Sequence, residues 1–286
     1  MKRQKTFENN NPKLYLVATP IGNLEDITLR ALRILKEVDL IAAEDTRHTL
    51  GLLNHFEISK PLISYYKQNE KTKSEILIKK LLEGQNVAIV SDAGTPGISD
   101  PGEEIVKVAI ENGIEIIPIP GACAFVNALI ASGLSSKEFA FIGFLSAMKK
   151  EKKDKLEELK YETRTLILYE APHKLNATLE AIYEILGDRK IVLARELTKI
   201  HEEFIRDNVS CILARIEEIK GEFVILIEGN SESKKDVELT DLTNKTLEEH
   251  YQFYLNQGFD KKEIIKKIAK DRNTNKNEIY QYFLNK

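Results

Sequence analysis

The sequence predicts an α/β protein of roughly two domains, and three observations lead to that prediction. Short apolar runs rich in β-branched residues alternate with stretches of helical periodicity over most of the chain. Polar or Pro/Gly signals lie near the start of each helical stretch. The chain has 286 residues, of which 42% are hydrophobic and 30% charged, and this is ordinary for a globular protein with a sizeable core.

The predicted strands are residues 14–18, 38–43, 87–90, 114–119, 165–169, 191–194 and 223–227. The predicted helices between them are residues 28–36, 72–83, 103–112, 122–132, 154–160 and 174–186. The charge-dense stretch 148–161 interrupts this alternation about midway and indicates the domain boundary. As domain bounds we expect residues 12–133 for the first α/β domain and residues 134–230 for the second, which begins before this charged stretch.

Both ends of the chain differ from this α/β pattern. Residues 1–11 are polar and lack an apolar segment, so we expect a disordered lead there. The β signal stops after residue 228, and residues 231–240 are predicted to be a linker. Residues 241–286 are predicted to form a helix-turn-helix-like module with helices at 246–257, 260–271 and 276–284. Such a module is compatible with nucleic-acid binding and about equally with docking or dimerisation.

Composition excludes several classes of protein. The two cysteines cannot build a disulfide framework, and with no zinc-type Cys/His spacing we predict no metal site. A net charge of −3 argues against a strongly basic nucleic-acid binder, although lysine-rich runs occur at 149–155 and 261–272. Each run is more often a solvated helix face. We expect a cytoplasmic protein without a transmembrane segment.

The loop at residues 91–102, directly after a predicted strand, holds three glycines, two prolines and two aspartates. Glycine lets a ligand approach the main chain, while Asp92 and Asp100 supply acceptors. Ligands of open α/β sheets bind at the carboxyl ends of the strands, which predicts a ligand-binding loop here. The alternative is a turn that merely joins strand to helix.

The motifs of dinucleotide-binding enzymes, P-loop phosphotransferases, α/β-hydrolases and zincins are absent from the sequence. Three other polar clusters stand at predicted strand ends: residues 18–27, 43–48 and 169–174. With the loop 91–102 and the Pro-Gly turn at 119–124, they resemble the ribosomal RNA small subunit methyltransferase I family of the tetrapyrrole methylase superfamily. The resemblance covers about residues 14–229.

This resemblance implies transfer of a methyl group from S-adenosylmethionine to a cytidine 2′-hydroxyl in 16S rRNA of the small ribosomal subunit. It also implies a two-domain, tetrapyrrole-methylase-like (class III methyltransferase) fold, a cofactor in the cleft between the domains, and a homodimer. The trihelical end resembles the extension seen in members of this family.

Carried over motif by motif, the cofactor contacts fall on Ile21, Asp92, Gly94, Thr95, Cys123, Ala124 and Tyr169. Asp92 is expected to accept a hydrogen bond from the ribose or the amino group, and Ile21 and Tyr169 to form apolar walls. Cys123 is expected to be a packing residue, because nothing nearby favours a thiolate. Leu197 is a weaker candidate.

The candidates for a base that removes the hydroxyl proton are Glu44, Asp45, Glu170 and His173. The RNA contacts are expected at Arg47, Asp100 and Lys174. Two of these assignments have plain alternatives. Residues 44–47 suit a helix N-terminal acidic pair with a surface arginine, and His173 suits a structural histidine.

Two other functions stay open from the sequence. One is a methyltransferase of the same superfamily that acts on a tetrapyrrole or a protein. The other is a nonenzymatic RNA-binding factor that has lost the cofactor. The many special backbone residues of the glycine loop argue against the second function, because a site without a ligand has no need of them.

Overall fold

The computed structural model describes residues 4–5, 9, 11–215 and 221–284. Its strands are β1 (Lys13–Val17), β2 (Leu40–Ala43), β3 (Leu62–Ser64), β4 (Val87–Val90), β5 (Glu115–Ile119), β6 (Phe139–Phe144), β7 (Thr165–Glu170), β8 (Lys190–Arg195), β9 (Glu203–Asn208) and β10 (Phe223–Ile227). Its α-helices are α1 (Leu29–Glu37), α2 (Thr46–His55), α3 (Glu70–Leu82), α4 (Glu103–Glu111), α5 (Ala124–Ser132), α6 (Lys149–Glu158), α7 (Leu175–Leu186), α8 (Val209–Leu213), α9 (Lys234–Asn244), α10 (Leu247–Asn256), α11 (Lys261–Asp271) and α12 (Lys276–Leu284).

The first sheet is entirely parallel, in the order β3-β2-β4-β1-β5. Every residue of β2 and β4 is buried, because helices cover both faces of the sheet. Two apolar clusters, one on each face, form its core. The loops that follow β1, β2, β4 and β5 leave the same edge of the sheet, so their residues meet there.

The second sheet is mixed, in the order β6-β7-β10-β8-β9, and only the β6/β7 pair is parallel. The central strand β10 is buried along its whole length. Helices α6, α7 and α8 contribute to the core on one face of this sheet, where Leu156, Leu179 and Ile225 are fully buried. The two-sheet α/β architecture is the predicted fold class.

Helix α5 connects the two sheets. Its residues Ala128 and Leu129 are buried against Val224 and Leu226 of β10, so a helix that follows the last strand of the first sheet covers the second sheet. Ile21, from the loop after β1, packs against the same cluster. The two halves of the molecule therefore share one apolar interface.

The C-terminal helices form their own core around the fully buried Ile264 and Ile268. Asp260 and Glu263 form a capping box at the start of α11, and Asn275 accepts a hydrogen bond from the backbone N–H of Asn277 near the start of α12. His250, also fully buried, accepts a hydrogen bond from Arg272 Nε at its Nδ1 and contacts Asp271 through Nε2.

Arg272 also donates to the carbonyl oxygens of Leu242 and Lys245 at the end of α9, and thereby ties α9 to the helices that follow. None of the helices in the described ranges combines the length and the hydropathy that spanning a membrane requires.

Several elements differ from the sequence-based expectations. Strands β3, β6 and β9 and helices α2, α8 and α9 were not predicted. The stretch 148–161, expected at the domain boundary, forms α6, whose Leu156 is buried in the core of the second sheet. Helix α9 lies in the predicted linker and begins with a Ser233/Asp236 capping box, a local signal that the composition of the segment obscured.

The predicted disordered lead lies in part outside the described residues, at 1–3, 6–8 and 10. The described Gln4 forms two hydrogen bonds with the backbone of Ile116, at 2.8 and 3.1 Å. Part of the lead therefore lies against β5.

Candidate active site

A cavity of about 310 Å³ lies between the carboxyl edge of the first sheet and the second sheet. Loops from both halves line it. The lining residues are Ile21, Glu44, Asp92, Ala93, Gly94, Thr95, Ile98, Ser99, Asp100, Cys123, Ala124, Phe144, Tyr169, Glu170, Ala194, Glu196, Leu197, Lys199, Glu222, Phe223 and Val224. Its size falls in the range of small-molecule sites.

The loops after β1, β4 and β5 hold each other in place. The backbones of Thr19 and Gly94 exchange two hydrogen bonds, at 2.9 and 3.0 Å, and Thr95 Oγ1 donates to the carbonyl of Ala122 over 3.0 Å. Gly94 has a φ of +82°, and a Cβ at this position would stand 3.2 Å from Ile21 Cγ2. Glycine is therefore required here both for the turn and for the approach of the β1 loop.

The loops after β2 and β4 are joined through Asp92. Its Oδ1 accepts a hydrogen bond of 2.9 Å from the backbone N–H of Asp45. Glu44, one residue before, lines the cavity. Burial raises the pKa of Glu44, and the nearby carboxylate of Asp92 raises it further.

The cavity is strongly acidic. Six of the described lining residues carry a carboxylate, namely Glu44, Asp92, Asp100, Glu170, Glu196 and Glu222, and Lys199 is the one lysine or arginine among them. Lys199 Nζ is itself paired with Glu196 at 3.1 Å. Burial, followed by the charges of Glu44 and Asp92, raises the pKa of Asp100 to about 7. A cationic ligand would relieve this repulsion.

Apolar and aromatic side chains also line the cavity. The Tyr169 hydroxyl accepts a hydrogen bond of 3.3 Å from the backbone N–H of Phe125, and its ring packs edge-on against Phe141 and Phe144. Burial is the main cause of a raised pKa at Tyr169 and also raises the pKa of the Cys123 thiol. A thiol with a raised pKa is a poor nucleophile, in agreement with a packing role.

Glu170 lies at the edge of the cavity, but its carboxylate faces protein. Only 3% of the residue is exposed, and its oxygens accept hydrogen bonds from the backbone N–H of Ala171 and from Thr178 Oγ1. The Thr178 hydroxyl in turn accepts a hydrogen bond from Lys152 Nζ over 2.8 Å. The lysine compensates the buried carboxylate through the shared hydroxyl.

A second cavity, of about 860 Å³, adjoins the first. The two share Ile21, Asp92, Ala93, Glu196, Lys199 and Glu222. The remaining lining of the second cavity is Thr19, Pro20, Gly22, Leu24, Arg47, His48, Gly51, Leu52, His55, Pro172 and Gly221. None of these described residues is acidic, so the carboxylates that line the second cavity are confined to Asp92, Glu196 and Glu222, which it shares with the first.

The structure places ten of the predicted site residues around the first cavity: Ile21, Glu44, Asp92, Gly94, Thr95, Asp100, Cys123, Ala124, Tyr169 and Glu170. Leu197, the weaker candidate, also lines it. Arg47 lines the second cavity. Asp45 lines neither and caps α2, where it is paired with Arg47 at 3.0 Å. His173 and Lys174 lie in the 3₁₀ turn Pro172–Lys174 and line neither of the two cavities.

Glu196, Lys199 and Glu222 are lining residues that the sequence did not single out. Glu196 and Thr198 have positive φ values of 48° and 70°, which non-glycine residues rarely adopt. The residue types at these positions do not encode that conformation. The polar run at 195–199 at the end of a strand was the one signal available.

Residues 13–212 match the family described as Tetrapyrrole (Corrin/Porphyrin) Methylases. The chain is 50% identical over 289 residues to the ribosomal RNA small subunit methyltransferase I of Halalkalibacterium halodurans, covering 99% of each chain. It is 48% identical over 287 residues to the Bacillus subtilis protein of the same name, covering 99% of this chain and 98% of that one.

Two solved structures share the fold at lower identity. Uroporphyrin-III-C-methyltransferase from Thermus thermophilus matches with a TM-score of 0.56 and 22% identity, covering 76% of this chain and 94% of that one. A diphthine synthase matches with a TM-score of 0.59 and 15% identity, covering 79% and 93%. These likenesses establish the class III methyltransferase fold.

Proposed function

The chain belongs to the ribosomal RNA small subunit methyltransferase I family of the tetrapyrrole methylases, and from this membership we propose its reaction. It transfers a methyl group from S-adenosylmethionine to the 2′-hydroxyl of a cytidine in 16S rRNA of the small ribosomal subunit. The cofactor occupies the cavity between the two sheets.

The charge of that cavity is the observation that carries the proposal. S-adenosylmethionine bears a sulfonium, an ammonium and a carboxylate group and is a net cation, and carboxylates line the cavity. Burial, followed by the charges of Glu44 and Asp92, keeps the pKa of Asp100 raised there. The apolar wall of Ile21, Leu197 and Tyr169 suits the adenosyl portion. The residues present therefore fit this cofactor.

When bound, the cofactor supplies an electrophilic methyl group. Asp92 accepts hydrogen bonds from its ribose or amino group, and the main chain of Gly94, Thr95 and Ala124 meets its polar edges. The interlocked loops hold these groups before the ligand arrives, so little reorganisation is needed for an in-line transfer.

Among the four base candidates, we propose that Glu44 removes the hydroxyl proton. Glu44 lines the cavity, and its raised pKa makes it a stronger base than an ordinary glutamate. The carboxylates of Asp45 and Glu170 are occupied by Arg47 and Thr178, and His173 lies outside the cavity. Those three are assigned to positioning or structural roles.

The test is methyl transfer from labelled S-adenosylmethionine to undermethylated small ribosomal subunits, with the modified nucleotide mapped by mass spectrometry. We expect label on a 2′-O-methylcytidine and none with Asp92→Ala. Label on a tetrapyrrole or a protein instead would reassign the substrate. Absence of cofactor binding would favour a nonenzymatic RNA-binding factor.

We also propose that the protein acts as a homodimer in the cytoplasm, as the family resemblance implies. Analytical ultracentrifugation of the purified protein tests this, and a single species at the monomer mass of 32.6 kDa would contradict it.

A further inference from the structure

The second cavity is not used by the cofactor in the proposed function, and its chemistry differs from that of the first. Arg47, His48 and His55 line it together with Thr19 and several apolar or glycine residues, and its three carboxylates, Asp92, Glu196 and Glu222, all lie on the side shared with the first cavity. Basic and imidazole side chains suit a phosphodiester and a nucleobase, since imidazole rings stack on bases and guanidinium groups bind phosphate. Six lining residues are shared with the cofactor cavity, so occupants of the two would be in contact.

One face of α2 forms much of this cavity. Arg47, His48, Gly51, Leu52 and His55 follow the spacing of a single helix face and all line it. The N-cap residue of this helix is Asp45, whose backbone N–H donates a hydrogen bond to Asp92 of the cofactor cavity. The position of this face is therefore coupled to the cofactor site.

Gly51 gives an independent sign of a ligand. It lies in the interior of α2, where glycine destabilises a helix relative to alanine. It does not have a positive φ, and a Cβ built on it would meet no atom within 4 Å. Neither the backbone conformation nor packing against this chain requires glycine at this position. A ligand that lies along the helix would require it, because a side chain there would occupy the ligand's space.

Lys199 supplies a second cation from the other half of the molecule. Its side chain crosses Gly22 so closely that a Cβ there would stand 2.6 Å from Lys199 Cγ. The ammonium group lies where the two cavities meet and is held there by its ion pair with Glu196 at 3.1 Å. The guanidinium of Arg47 is paired with Asp45 at 3.0 Å, and 91% of the Arg47 side chain remains exposed.

We propose that the second cavity holds the acceptor nucleotide of the RNA, unpaired and turned out of its strand. The base lies along the His48, Gly51 and His55 face of α2, and the flanking phosphates contact Arg47 and Lys199. The ribose then stands at the junction of the cavities, beside the Glu44 loop. This inference rests on the proposed function and names the site of its RNA substrate.

Gly51→Leu tests the proposal because it fills the cavity while raising helix propensity, so the variant is expected to fold. Asn54→Leu is the matched control: it adds the same side chain to an exposed position of the same helix that lines neither cavity. Both proteins are compared with wild type by thermal unfolding, by calorimetric titration with S-adenosylmethionine, and by methylation of undermethylated small subunits.

We expect Gly51→Leu to lower kcat/KM for the subunits by about tenfold or more, with unchanged cofactor affinity, and Asn54→Leu to match wild type. Wild-type methylation by Gly51→Leu would overturn the inference and leave the proposed function standing. Loss of cofactor affinity in Gly51→Leu would also overturn it, because the second cavity would then belong to the cofactor. A wild-type protein that methylates no RNA would refute both.

Discussion

Asp92 Oδ1 accepts the backbone N–H of Asp45 at 2.9 Å, and this bond joins the ends of two neighbouring strands of the first sheet. Asp92→Ala removes this acceptor and one proposed cofactor contact. We expect loss of cofactor binding in calorimetric titration and a decrease of about 1–3 kcal/mol in the free energy of unfolding. A folded variant with wild-type affinity would show that Asp92 does not contact the cofactor.

The raised pKa of Asp100 predicts a pH dependence of stability. At pH values between the ordinary pKa of 3.8 and the raised pKa of about 7, the carboxyl of Asp100 is protonated in the folded protein and ionised in the unfolded chain. The folded state thus binds more protons in that window, so this residue's contribution to the free energy of unfolding falls as pH rises through it. Asp100→Asn is expected to reduce the slope of the free energy of unfolding against pH, which urea unfolding at several pH values measures.

The same carboxyl predicts how pH affects ligand choice. In the proposed cofactor site, deprotonation of Asp100 would add a negative charge to the cavity that holds the sulfonium, whereas S-adenosylhomocysteine carries a neutral thioether. We expect the ratio of the affinities for S-adenosylmethionine and S-adenosylhomocysteine to increase as pH rises through about 7. In Asp100→Asn this ratio is expected to stay constant over the same pH range. Equal pH profiles for the two ligands would place the sulfonium away from Asp100.

Gly121 lies against Ala18, so that a Cβ on Gly121 would stand 2.7 Å from Ala18 Cβ. Gly121→Ala is expected to lower the free energy of unfolding by about 1–3 kcal/mol, through overpacking at the junction of the β1 and β5 loops. The double variant Ala18→Gly/Gly121→Ala removes the contact and should recover part of the loss. A double-mutant cycle with no coupling would contradict this account.

The buried chain of Lys152, Thr178 and Glu170 predicts a large effect from a small change. Thr178→Val removes the hydroxyl that both charged groups use, and we expect a loss of about 1–3 kcal/mol in chemical denaturation. Thr72→Val, at an exposed position of α3, is the control and should change stability by less than about 0.5 kcal/mol. Similar values for the two variants would show that the chain contributes little.

Lys262, Lys266 and Lys270 are exposed and follow each other at four-residue spacing along α11. If this stripe binds RNA backbone, replacing all three by glutamine weakens RNA affinity and reduces the slope of log K against log salt by about two. Filter binding at several salt concentrations measures both quantities. An unchanged slope would assign these lysines to solvation of the helix.

Strands such as β4 and β10, which are buried along their whole length, were predicted because an apolar β-branched run is visible in the sequence alone. The missed strands lack that pattern. Strand β9 is a charged edge strand, and β6 contains Gly143 at a register shift. Helix α2 has a glycine in its interior, and its apolar residues do not form one stripe.

The cofactor side of the site was largely predictable, since glycine, proline and aspartate mark the loops at the strand ends. The sequence did not predict that Glu196, Lys199 and Glu222 line the cavity, because their placement depends on how the second sheet faces the first. Tertiary placement also separated the base candidates: Glu44 and His173 look equally suitable in sequence, yet only Glu44 lines either cavity.

Helix α5 shields β10 of the second sheet although it follows directly on the first. A break of the chain after residue 133 would divide this apolar cluster between two fragments. Ala128 and Leu129 would lie on one fragment, and Val224 and Leu226 on the other. The two halves are thus expected to denature together in one calorimetric transition rather than as separate units. The cleft between them is held by the same interface that holds the molecule folded, so opening it widely would cost global stability.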